Sequence, residues 1–108
     1  MKKKIKESEV QRVLLDYLKA KRIFHYRNNS GAMAGNYKGK KCFMRFGAMG
    51  SPDIVSVIKG QYVGIEVKGT GGKQSDHQKE FQENLERAGG KYLLVYSLED
   101  FITKYQQS

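Results

Sequence analysis

Ser51-Pro52-Asp53-Ile54-Val55-Ser56-Val57-Ile58-Lys59-Gly60-Gln61-Tyr62-Val63-Gly64-Ile65-Glu66-Val67-Lys68 is the stretch on which the reading of this chain turns. β-Branched residues crowd Ile54 to Ile58 and Tyr62 to Lys68, and Lys59-Gly60-Gln61 between them can reverse the chain as a hairpin connection. Side chains along a strand alternate between its two faces. Val63, Ile65 and Val67 therefore point into a core, while Tyr62, Gly64, Glu66 and Lys68 share the opposite face. The hairpin returns the chain so that Asp53, at the start of one strand, can sit near Glu66 at the end of the other.

Outward from this hairpin the pattern becomes helical on both sides. Val10, Val13, Leu14, Tyr17 and Leu18 form one apolar stripe at helical spacing and predict a helix from about Glu7 to Lys21. Ser8 and Gln11 fit a capping box at its start. Ile23 to Asn28 reads as a short strand, the stretch from Asn28 to Asn36 as polar turn, and Cys42 to Phe46 as a further strand. After Gly69-Thr70-Gly71-Gly72, a second capping box at Ser75 and Gln78 opens a helix to Ala88, which Gly89-Gly90 closes. Tyr92 to Tyr96 is a strand, and Leu98 to Tyr105 a helix capped by Ser97. The expected fold is α/β: a mixed central sheet flanked by helices, in the order α-β-β-β-β-α-β-α.

With 108 residues the chain fits a single domain spanning 1–108. No run is long and apolar enough for a membrane span, and the basic start leads into an amphipathic helix where a signal peptide would be apolar. The expectation is a cytoplasmic protein, not secreted and without membrane attachment. One cysteine, Cys42, excludes an intrachain disulfide and a zinc site built from several cysteines. The net charge of +9 is uneven, with +10 on residues 1–50 and −1 on residues 51–108. A basic half beside an acid-bearing half suits a polyanion-binding surface next to a site that uses carboxylates.

The chemistry-bearing pattern is Ser51-Pro52-Asp53, twelve residues, then Glu66-Val67-Lys68. Two carboxylates converging from adjacent strands offer hard oxygen ligands to Mg²⁺ or Mn²⁺, and the Val67 carbonyl can add another. Lys68 beside such an ion can orient or help deprotonate a water, or stabilise charge on a phosphate under attack. Taken singly, Glu66 and Lys68 also fit a cross-face ion pair, and Asp53 after Pro52 fits a strand start. Arg27, Lys38, Lys40, Lys41 and Arg45 are the candidates for phosphate contacts, with Asn28, Asn29 and Ser30 beside them. Tyr26, Tyr37 and Phe43 can stack on bases or pack.

Glu9-Val10, Arg27-Asn28-Asn29-Ser30-Gly31, Gly50-Ser51-Pro52-Asp53-Ile54, Ile65-Glu66-Val67-Lys68, and Gln74-Ser75 with Gln78 and Phe81 occur in this order along the chain. This set resembles the virus-type replication-repair nuclease (VRR-NUC) domain of the PD-(D/E)xK nucleases, from about Glu7 to Tyr96. The resemblance implies a restriction-endonuclease-like core and a DNA endonuclease dependent on Mg²⁺ or Mn²⁺. It implies a homodimer acting on branched DNA, four-way (Holliday) junctions included, as in DNA repair in bacterial or phage-infected cells. Glu9 matches the helical acid that completes the metal site, Asp53, Glu66 and Lys68 the catalytic core, and Gln78 an amide on the following helix. Read from the residues alone, Glu9 is better explained as stabilising a helix start through the dipole, and Gln78 equally serves as the partner of Ser75. A non-catalytic nucleic-acid-binding subunit and an RNA endonuclease of related fold are the competing readings.

Overall fold

The computed structural model describes residues 4–28, 31–37, 40–46 and 49–107, with backbone alone for 31–37 and 40–46. Its centre is the hairpin just quoted. β4 (Ile54–Ile58) pairs antiparallel with β5 (Gln61–Val67), Ile54 opposite Ile65 and Ile58 opposite Gln61. Lys59 and Gly60 turn the chain with φ of 53° and 78°, the left-handed pair that matches the twist of a two-residue hairpin. β1 (Phe24–Arg27) adds antiparallel to β4, and β6 (Lys91–Val95) adds parallel to β5. The order β1-β4-β5-β6 makes a mixed four-stranded sheet. The parallel connection from β5 to β6 runs through α2 (Asp76–Arg87), as a crossover requires.

The alternation along β5 is realised. Val63, Ile65 and Val67 are fully buried with Ile54, Leu93 and Val95 against Val10, Leu14 and Leu18 of α1 (Glu7–Ala20) and Phe101 of α3 (Leu98–Gln107). Each such side chain contributes about 1.5–3 kcal/mol of apolar burial, so this face holds the sheet to α1 and α3. On the other face, Phe81 of α2 packs 6.0 Å from the Tyr92 ring. No helix among the described residues is long and apolar enough to cross a membrane.

Two expectations need correction. α1 is not opened by a Ser8–Gln11 capping box: its N-cap is Lys6, without a side-chain cap. The start is set further upstream, where Ile5 donates its N–H to Thr70 Oγ1 at 2.9 Å and its carbonyl accepts from Thr70 N–H at 3.0 Å. Lys6 then provides the carbonyl that receives the Glu9 and Val10 N–H groups. The stretch read as polar turn contains a strand, β2 (Gly31–Tyr37), paired antiparallel with β3 (Lys40–Phe46) in a separate two-stranded sheet. Backbone pairing along the whole ladder, Gly31 opposite Phe46 through Tyr37 opposite Lys40, overrides the low strand propensity of Gly, Ala and Asn. Five strands rather than four therefore precede α2.

Candidate active site

The hairpin register brings Asp53 to Glu66. With Ile54 opposite Ile65, the next positions outward are Asp53 and Glu66, and Asp53 Oδ2 accepts from the Val67 N–H at 2.9 Å. Asp53 is itself held from behind by Asn28 at the end of β1. The Asn28 N–H donates to the Asp53 carbonyl at 2.7 Å, and Asn28 Nδ2 donates to Ser51 Oγ at 3.0 Å and to the Pro52 carbonyl at 2.9 Å. Asn28, expected to touch nucleic acid, thus spends its side chain on the Ser51-Pro52-Asp53 turn. Gly50, at φ 80°, lets this turn approach α2, since a Cβ there would stand 2.1 Å from the His77 carbonyl oxygen.

Glu66 is 3% exposed. Burial, then a hydrogen bond with Asp53 and that residue's charge, push its carboxyl up to about 9, with Lys68 opposing and Glu7 adding to the rise. Lys68 Nζ lies 3.9 Å from Glu66 Oε2. On the other side, Tyr92 donates its hydroxyl to the Gly50 carbonyl at 3.2 Å and makes a longer contact of 3.4 Å with Glu66 Oε1. Burial and the neighbouring Glu66 carboxyl hold the Tyr92 hydroxyl well above the usual tyrosine range. It therefore acts as a fixed donor.

The third carboxylate belongs to Glu7. Oxygen atoms of Glu7, Asp53 and Glu66 lie within 4.8 Å of one another, a spacing that can hold one metal ion. Glu9, the helical acid expected here, is exposed and instead lines a groove with Ile5, Val13, Tyr96 and Leu98. Helix rotation explains the difference. The fully engaged stripe of α1 is Val10, Leu14 and Leu18, whereas Val13 is largely exposed. Carried back one turn, that stripe reaches Glu7, three residues before Val10, and two residues along a helix places Glu9 near the far side. The signal was present in the sequence as the Glu7-Val10-Leu14-Leu18 row. The Ile5–Thr70 pair fixes the position, and Gly69 permits it, because a Cβ at 69 would meet the Ile5 carbonyl oxygen at 2.6 Å and the Glu7 nitrogen at 2.8 Å.

The remaining expected residues fall elsewhere. Gln78 completes the capping box of α2: its Oε1 accepts from Ser75 N–H at 2.8 Å, and its own N–H donates to Ser75 Oγ. Its amide is engaged there rather than with the carboxylates. Val67 enters through its N–H. Arg27 is exposed at the end of β1. Lys40, Lys41 and Arg45 lie on β3, where the backbone alone is described, and Asn29, Ser30 and Lys38 lie outside the described residues. Tyr92 was read only as part of a strand, and its approach to Glu66 depends on the parallel register of β6 against β5.

The donor set fits a hard divalent cation such as Mg²⁺ or Mn²⁺, because Glu7, Asp53 and Glu66 present carboxylate oxygens without nitrogen or sulfur. Burial and the neighbouring Asp53 disfavour the ionised form of Glu66, an effect that such a cation would offset. The Asn28 clamp gives a test of its own. Asn28→Ala leaves the Pro52 carbonyl and Ser51 hydroxyl without their donor and should cost about 1–3 kcal/mol in thermal melts. DNA affinity measured in EDTA should stay within about twofold of wild type, whereas loss of a direct phosphate contact would weaken binding to every sequence.

Searches of family models, curated proteins and solved structures match nothing to this chain.

Proposed function

We propose that the chain is a divalent-metal-dependent endonuclease that hydrolyses phosphodiester bonds in branched DNA, four-way junctions included. The observation that carries this reading is the convergence of Glu7, Asp53 and Glu66 beside Lys68 at the end of β5. A bound Mg²⁺ or Mn²⁺ would activate a water and polarise the phosphate. Asp53 and Glu66 come from the hairpin and Glu7 from the first turn of α1, whose positive dipole end favours negative charge at this spot. Lys68, 15% exposed, sets one cationic group 3.9 Å from the buried Glu66 carboxyl, where it can orient water or neutralise a phosphate oxygen. The surplus of +10 on residues 1–50 supplies the attraction for a polyanion. A homodimer would place two such sites about a two-fold axis, suited to cutting both strands of a symmetric junction.

The raised Glu66 carboxyl favours a second reading, in which Asp53 and Glu66 share a proton as a structural pair in a non-catalytic DNA-binding subunit. One experiment separates the two. Labelled four-way junction, flap, linear duplex, single-stranded DNA and RNA are incubated with Mg²⁺, Mn²⁺ or EDTA and either wild type or Lys68→Ala. The nuclease reading expects metal-dependent cutting of the junction DNA, absent in Lys68→Ala and in EDTA. Tight binding with no cutting in either metal would leave the binding subunit, and cutting of RNA alone would reassign the substrate.

A further inference from the structure

The sheet face that carries Glu66 is covered unevenly. α2 packs on β6 through Phe81 and Tyr92, but across β1 and β4 the same face presents Phe24, Tyr26 and Val57, exposed by 66%, 50% and 42%. The register makes these residues one surface: Phe24 lies opposite Val57, Tyr62 flanks Val57 on its other side, and Tyr26 lies opposite Val55. The Phe24 and Tyr26 rings sit edge to face with centroids 6.4 Å apart. The half-buried Tyr62 hydroxyl is held above its ordinary range by burial and by Tyr26, as expected if the rings adjoin. Exposed apolar residues scattered singly need no explanation, but a contiguous aromatic row does.

Charge indicates what covers it. Residues 21–28 and 54–65, which build β1, its approach, β4 and β5 as far as Ile65, contain no carboxylate. Arg22 and Lys59 border the row at its Phe24–Val57 end, while Arg27 alternates to the opposite face and Lys21 lies 5.9 Å from the Tyr17 ring of α1. Arg22 and Lys59 are both exposed. A second copy placed symmetrically on this face would bring Arg22 and Lys59 against a stretch that holds no carboxylate to pair with them, which like-charge repulsion opposes. A polyanion with flat apolar faces meets both features at once. Base stacking on aromatic side chains beside a cationic track is how single-stranded nucleic acid is held without sequence preference. The row also leads to the carboxylates: two residues beyond Tyr26, the Asn28 N–H binds the Asp53 carbonyl.

We propose that the β1–β4 face is a stacking platform, on which Phe24 and Tyr26 hold unpaired bases while the strand's phosphates pass the flanking cations toward Asp53. This assigns the substrate class as nucleic acid with a single-stranded segment, such as the open centre of a branch. It rests on the nucleic-acid part of the reading above and not on cleavage.

The test is therefore binding in EDTA. A single-stranded oligonucleotide carrying 2-aminopurine is titrated with protein, alongside the same sequence as duplex. Wild type quenches the 2-aminopurine fluorescence on binding. Phe24→Ala combined with Tyr26→Ala should weaken single-strand binding by about 10- to 100-fold and abolish the quench, with duplex binding little changed. Phe24→Leu with Tyr26→Leu should fail similarly, whereas Phe24→Tyr with Tyr26→Phe should retain binding. Equal losses on duplex and single strand, or full retention by the leucine variant, would overturn the platform. So would a wild-type dimer in sedimentation that the alanine variant splits, since it would assign the face to self-association. A protein that binds through the platform but never cuts would pass this test, so its outcome is independent of the nuclease assay.

Discussion

Asp53→Asn should fold normally and lose junction cleavage by about 10²–10⁴-fold, since metal stabilisation of charge contributes several kcal/mol at 1.36 kcal/mol per factor of ten. The substitution is nearly isosteric. An amide oxygen at the same place still accepts from the Val67 N–H, which Asp53 Oδ2 does at 2.9 Å, and the Asn28 bond to the residue 53 carbonyl is untouched. What disappears is one of the three carboxyl groups whose oxygens gather within 4.8 Å. Single-turnover cleavage read beside a thermal melt checks both halves. Lost stability with retained activity would mean that Asp53 is a turn residue and the carboxylates have another purpose. Retained affinity for DNA in EDTA would show that the deficit lies in chemistry rather than binding.

In EDTA the protein should become less stable as pH rises from about 5 to 9. Glu66 has its carboxyl raised from 4.5 to about 9 in the folded state, chiefly by burial and then by Asp53, so the folded chain retains a proton that the unfolded chain releases. Wherever the folded state binds more protons, stability declines with pH, here by up to about 1.4 kcal/mol per pH unit. The contribution is complete below the unfolded value and is lost as pH climbs through the folded one. At about 4–8 °C per kcal/mol for a domain of this size, melting points should fall by roughly 8–17 °C between pH 6 and pH 7.5. Saturating Mg²⁺ or Mn²⁺ should flatten or reverse the slope, because the cation displaces the proton from the same carboxylate. Glu66→Gln should have no such slope in EDTA. A variant retaining the wild-type slope would trace it to other groups. A slope indifferent to either metal would argue that the three carboxylates do not bind a cation.

The parts of this fold legible in the sequence are those whose cause is local. Alternation from Tyr62 to Val67 predicts which residues of β5 reach the core, and Ser75 with Gln78 marks the start of α2 through contacts three residues apart. Asp53 and Glu66 are readable because a short hairpin allows few registers. The misreadings came where a distant segment decides. Whether Glu7 or Glu9 faces the sheet depends on the rotation of α1, fixed by Val10, Leu14 and Leu18 against β5 and by the bond from Ile5 to Thr70, 65 residues away. The α1 cap failed for the same reason. β2 carries few strand-forming side chains and exists through its partner. Asn28 has the composition of a nucleic-acid contact but meets Ser51 and Pro52, which no spacing within the segment could reveal.

The stitch between Ile5 and Thr70 has lopsided tolerance. Ile5 takes part through its N–H and carbonyl, groups that every residue but proline carries, so evolution can vary its side chain and leave the stitch intact. Residue 70 must offer a hydroxyl, and residue 69 must carry no Cβ against the Ile5 carbonyl. Drift in this protein is therefore permissive where Glu7 is launched and restrictive where it is received. The inherited constraint on one carboxylate is written more than sixty residues downstream, in a loop that contributes no acid to the cluster.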